Sequence, residues 1–141
     1  MKHFYLNTNK VKDPDGFYTH KIETYLEEHG ARVTCIDNEG QSSLAEQLRT
    51  CRPREAECIL VLGGDGTLLR AARNMMNSDI PLLGINLGTL GYLAEVEIAS
   101  IEEALDKLLA DRFTREERMM LVGQSDRQGM REENYALNDI V

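Results

Sequence analysis

Five residues, Cys58-Ile59-Leu60-Val61-Leu62, run without a polar break into Gly63-Gly64-Asp65-Gly66-Thr67. Side chains on a strand alternate between its two faces, so an unbroken apolar run of this length needs cover on both sides. That is the environment of a parallel sheet. Leu68, Ala71, Ala72 and Met75 then recur at helical spacing and predict a helix from Thr67 to about Met76. A doubly covered strand, a tight glycine turn and a helix together restrict the chain to an α/β architecture.

The rest of the sequence follows the same alternation. Lys2 to Asn7 reads as a first strand, followed by the turn Asp13-Pro14-Asp15-Gly16. Phe17, Ile22, Tyr25 and Leu26 mark a helix that stops at Gly30. Arg32 to Ile36 is a second strand, and Ser42 or Ser43 caps a helix carrying Leu44, Ala45 and Leu48. Pro81 to Ile85 is a further buried strand. Ser100 with Glu103 predicts a capping box for a helix built on Ile101, Ala104, Leu105, Leu108 and Leu109. Residues 1–112 are therefore expected to form a doubly wound, mostly parallel, Rossmann-like sheet. After Phe113 the pattern changes: Phe113 to Gly123 and Tyr135 to Val141 are strand-like, with a polar loop at Ser125 to Arg131. Residues 113–141 read as the opening strands of a truncated all-β domain, because the chain stops inside an apolar stretch.

Composition excludes several classes. An apolar content of 42% and a charged content of 28% suit a soluble globular domain, and 141 residues suit one core. The net charge of -8 argues against nucleic acid as partner. No apolar run approaches a membrane span, and Met1-Lys2-His3-Phe4-Tyr5 lacks the core of a signal peptide. Cys35, Cys51 and Cys58 are odd in number and lack C-x-x-C spacing, which favours reduced thiols in a cytoplasmic protein over a zinc site. His3, His20 and His29 are expected at surface positions without a chemical role.

The glycine turn carries the chemistry. Gly63, Gly64 and Gly66 let backbone N–H groups approach a ligand at a helix N-terminus, which favours anions. A carboxylate is out of place in a simple phosphate cradle. Asp65 makes sense as an acceptor of a hydroxyl proton or as a ligand to a phosphate-bound metal. The plainer alternative is a connection in which Thr67 is an N-cap and Asp65 a solvated turn residue. The loop is neither a Walker A sequence, since its lysine is absent, nor G-x-G-x-x-G, since Leu69 takes the third position. Arg70 and Arg73 either face solvent or, for Arg70, face phosphates. In the second glycine-rich stretch, Gly84 to Leu93, Asn86 either hydrogen-bonds a substrate or pins loops, and Tyr92 is either core filler or a platform for a base.

Together these runs resemble the NAD kinase family, within a wider group that includes diacylglycerol-type lipid kinases and phosphofructokinases. Leu68-Leu69-Arg70-Ala71-Ala72-Arg73 is similar to the NAD kinase continuation of the Gly-Gly-Asp-Gly-Thr loop, and the Asn-Glu pair usual in lipid kinases is missing. Asn86-Leu87-Gly88-Thr89-Leu90-Gly91-Tyr92-Leu93 is similar to the second family signature, with Tyr92 where Phe is more usual, and Asn138-Asp139 to the start of a third. The resemblance implies phosphorylation of the adenosine-ribose 2′-hydroxyl of NAD by ATP with Mg²⁺, giving NADP. It makes Asp65 the proton acceptor. Asp65, Gly66, Arg70, Asn86, Tyr92, Asn138 and Asp139 would form the nucleotide site, with Gly63, Gly64, Gly66 and Thr67 as phosphate loop and no residue assigned to metal. It further implies an active site between two domains, so that this chain alone is expected to have little activity; exposed β edges where the second domain should continue make a homo-oligomer the expectation. A related lipid or sugar kinase, and a domain that binds nucleotide without catalysis, are the alternatives.

Overall fold

The computed structural model describes residues 1–36, 56–75, 78–88, 91–127 and 130–137. The expected helix around Leu44, with its Ser42 or Ser43 cap, lies outside these residues, as do Cys51 and Asn138-Asp139.

Five parallel strands form the main sheet: β1 (His3–Thr8), β2 (Arg32–Ile36), β3 (Cys58–Gly63), β4 (Leu82–Asn86) and β5 (Val96–Glu97), in the order β2-β1-β3-β4-β5. β3 is the middle strand, which accounts for its unbroken apolar run. Leu60 and Leu62 pack on one face with Phe4, Leu6 and Ile85, whereas Ile59 and Val61 pack on the other with Tyr5. Helices α1 (Phe17–Glu28) and α3 (Ile101–Leu109) bury Ile22, Leu26, Ile101, Leu105 and Leu108 against the first face. Helix α2 (Asp65–Asn74) buries Leu68 and Ala71 against the second, with Met75 just beyond its end. The sheet is doubly wound, as expected. At roughly 25 cal/mol per Å² of apolar surface, these two clusters are the dominant favourable contribution to the fold.

Several expectations are corrected. Helix α2 begins at Asp65, not Thr67, with Gly64 as N-cap. The capping box is absent: Ile98–Ser100 form a 3₁₀ turn running directly into α3. Ser100 therefore sits at φ -104° and ψ 13°, outside the extended region an N-cap needs, and makes no side-chain cap bond. His3 is not at the surface. Strands on both sides of β1 bury it, with Nε2 3.1 Å from Thr34 Oγ1 and its ring edge-on to Tyr5. The two late strands are also displaced. They are β6 (Leu121–Arg127) and β7 (Met130–Ala136), an antiparallel hairpin whose strands occupy most of the expected loop at Ser125 to Arg131. Among the described residues no helix is long and apolar enough to cross a membrane.

Candidate active site

In open α/β sheets ligands bind beyond the carboxyl ends of the strands, where the strand order reverses direction. Here that point lies between β1 and β3. The loops leaving β1, β3 and β4 all meet there.

Asp65 opens α2 and is tied to the loop that follows β4. Its Oδ2 accepts the Tyr92 N–H at 2.8 Å, and its Oδ1 accepts those of Leu93 and Ala94 at 3.1 and 3.2 Å. The Tyr92 amide is the largest influence holding this carboxyl below its ordinary 3.8. Desolvation opposes it, while the other two amides and the nearby Lys12 charge reinforce it. A carboxylate offers about four lone-pair positions, so three amides leave roughly one for a further donor. Asp65 is thus a fixed, ionised acceptor rather than a solvated turn residue.

The glycines divide by what surrounds them. A β-carbon on Gly63 would overlap Thr67, and one on Gly91 would overlap the Asp65 carboxylate. One on Gly84 would stand 2.9 Å from Leu68 and 3.0 Å from Ala94. These three are required by the protein's own packing. Gly66 is different: nothing lies within 4 Å of such an atom, and its φ is not positive. Glycine in a helix costs about 0.5–1 kcal/mol relative to alanine, and the fold gains nothing for it at this position. The first helical amides, at Asp65 and Gly66, also have no intrahelical acceptor. An open backbone surface with outward donors results.

Asn86 ends β4 opposite Gly63 in register and is buried. Its Nδ2 donates to the Gly88 carbonyl at 3.1 Å, which pins the second loop, while among the described residues its Oδ1 is buried without a hydrogen-bond partner. Tyr92 is fully exposed, so it is not core filler; its backbone holds Asp65 and its ring is free in solvent. Arg70 and Arg73 are exposed on the outer side of α2, and no ion pair joins either to Asp65 among the described residues.

Three residues of the β1 loop, Asn9, Lys12 and Asp13, hold that loop at the head of α2 and were not singled out from the sequence. Asn9 donates through Nδ2 to Thr67 Oγ1 at 3.2 Å and through its backbone N–H to the Leu62 carbonyl at 2.8 Å, docking the loop on the head of α2. Asp13 is buried and accepts the amides of Tyr18 and Thr19 at 3.1 and 2.9 Å and the Thr19 hydroxyl at 2.7 Å. It caps α1 from a distance, because the N-cap itself is Gly16 in a left-handed conformation at φ 67°. Lys12 lies between these two anchors. The signal that marks them is position: Asn9 leaves the carboxyl end of β1 just as Gly64 leaves that of β3.

Among the described residues no group of three or more His, Cys, Asp or Glu side chains could enclose a metal ion. Mg²⁺ usually keeps several waters and needs only one or two protein carboxylates beside substrate phosphates, so a single carboxylate such as Asp65 is compatible with it. Cys35 is exposed and Cys58 buried, both as free thiols; burial pushes Cys58 up to about 12. An open depression lined by Lys2, His3, Glu27, Arg32 and Glu57 lies at the opposite, amino ends of the strands. It has no share in this site.

The family model for the ATP-NAD kinase N-terminal domain matches residues 11–113. An NAD kinase of Agathobacter rectalis is 46% identical over 143 residues, covering 100% of this chain and 50% of that protein. One from Moorella thermoacetica is 56% identical over 123 residues, covering 85% of this chain and 39% of its own length. The crystal structure of yeast NADH kinase complexed with NADH superposes with a TM-score of 0.67 at 16% identity, covering 96% of this chain and 46% of that one; at this identity the likeness shows the fold. The chain spans about half the length of the curated relatives it matches. By the family model and by these relatives, the chain belongs to the ATP-NAD kinase family and contains its N-terminal domain.

Proposed function

We propose that the complete protein carrying this chain is an NAD kinase, transferring the terminal phosphoryl group of ATP to the adenosine-ribose 2′-hydroxyl of NAD. The observation that carries this reading is the Asp65 carboxylate, fixed by the amides of Tyr92, Leu93 and Ala94 beside the open backbone at Gly66. Phosphoryl transfer is mostly positioning and charge stabilisation, with one group to orient the attacking hydroxyl. In this reading the remaining acceptor position of Asp65 takes that role.

The ribose 2′-oxygen attacks the γ-phosphorus, an O–P bond forms, and the bridging P–O bond to the β-phosphate breaks. ADP departs with that electron pair, and the hydroxyl proton passes to Asp65. Gly63, Gly64, Gly66 and Thr67 present the head of α2 to the phosphates. Tyr92 offers its exposed ring to a base, Asn86 fixes the loop beside it, and Arg70 reaches the nucleotide once the cleft is complete. Asn138 and Asp139 hold ribose hydroxyls. Mg²⁺ bound with ATP would supply charge neutralisation on the phosphates, with no residue of this chain assigned to hold it. We assign residues 1–112 to the nucleotide-binding domain and residues 113–141 to the start of a β-rich second domain. Action in the cytoplasm and assembly into a homo-oligomer belong to the same reading; the free thiols of Cys35 and Cys58 support the first.

Asp65→Asn in the complete protein tests the assignment. The variant should lose about 10²–10⁴-fold in kcat while its affinity for NAD changes little. Turnover near that of the unmodified protein would remove Asp65 from the chemistry.

A further inference from the structure

Lys12 is a cation that the β1 loop brings to the head of α2. The loop is built to hold it there. Asn9 ties the start of the loop to Thr67 and Leu62, Asp13 is locked into the first turn of α1, and the Lys12 amide donates to the Asn9 carbonyl at 3.0 Å. A β-carbon on Gly64 would stand 2.9 Å from Lys12 Nζ, and one on Gly88 would stand 3.7 Å from it. The ammonium therefore lies over the N-cap of α2 and beside the loop pinned by Asn86. It forms no ion pair among the described residues, although its charge is close enough to Asp65 to act on that carboxyl.

An ammonium beside a proton acceptor weakens that acceptor, so it serves the site only by gripping an anion. The Asp65 carboxylate turns toward residues 92–94, whereas Lys12 approaches the same helix head from the β1 side. The two groups flank the first amides of α2, as an acceptor hydroxyl and a donor phosphate must flank the transferring phosphorus. We propose that Lys12 binds the phosphoryl donor, its ammonium holding the terminal phosphates of ATP between Gly64 and Gly88. This rests on the kinase reading above for the donor's identity but predicts binding that can be measured without turnover.

The test compares Lys12→Gln and Lys12→Arg in the complete protein, first by calorimetric titration with ATP and with inorganic tripolyphosphate in the absence of NAD. Loss of one charge-assisted contact should weaken both ligands about 10- to 100-fold in Lys12→Gln, and the arginine variant should recover most of the loss. In steady state the KM for ATP should rise by a similar factor while that for NAD stays within about twofold, because removal of a donor contact leaves acceptor binding intact. Lys12 is exposed, so the melting temperature should not move. Unchanged polyphosphate binding, or a loss that falls on NAD instead, would overturn the proposal. If the unmodified protein binds ATP yet makes no NADP, the NAD kinase reading fails, and the titration still decides the role of Lys12.

Discussion

Gly66 and Gly91 sit in the same site for opposite reasons, and their substitutions should separate accordingly. Alanine at 66 meets no neighbour and adds helix propensity, so Gly66→Ala should stabilise the protein by about 0.5–1 kcal/mol while lowering turnover, because its methyl group occupies the space a ligand needs. Melting curves beside steady-state rates check this; a variant both more stable and fully active would show that nothing approaches there. Alanine at 91 would overlap the Asp65 carboxylate and drive it off the amides of Tyr92, Leu93 and Ala94. Gly91→Ala should therefore cut turnover at least about tenfold, since misplacement of a reacting group by an ångström has that scale of effect. The acid in the glycine loop was legible in the sequence. Its three amide partners were not, because they come from a loop some 27 to 29 residues away that only the sheet register brings back.

At the scale of elements, the strands and helices that carry both cores were legible because their apolar residues repeat at the period of the structure they form. Cys58 to Leu62 is the clearest case, a central strand covered on both faces. What failed was local hydrogen-bond chemistry. Ser100 and Glu103 match a cap pattern that the 3₁₀ turn pre-empts, while α1 is capped by Asp13, four residues before its first turn. Burial raises the Asp13 carboxyl, but the Thr19 hydroxyl and the amides of Thr19, Tyr18 and Phe17 outweigh it and leave the group below 3.8. A folded value below the unfolded one gives stability that is present above the unfolded value and is lost as pH falls through the folded value. Urea midpoints should thus fall as pH drops below about 4. Asp13→Ala should cost about 1–2 kcal/mol near neutrality and flatten that acid limb; an unaltered acid limb would place the proton uptake elsewhere.

At the scale of the whole molecule, the proposed reading gives this chain half of the cleft, and the chain spans about half the length of the curated relatives it matches. Among the described residues the β6–β7 hairpin has only itself for a sheet, and a two-stranded ribbon is marginal in water without further strands or cover. On it Leu121 and Val122 expose apolar surface, and Met119 does so just before it. The 141 residues alone should therefore produce little or no NADP, and robust synthesis by them would contradict a site shared between two domains. The proposed reaction moves a phosphoryl group from ATP to a nucleotide ribose at the glycine loop. Its most direct measurement follows γ-labelled ATP through a single turnover of the complete protein offered NAD and diacylglycerol together. Label is expected in the 2′-phosphate of NADP and none on lipid. Labelled lipid without NADP would contradict the proposed reaction.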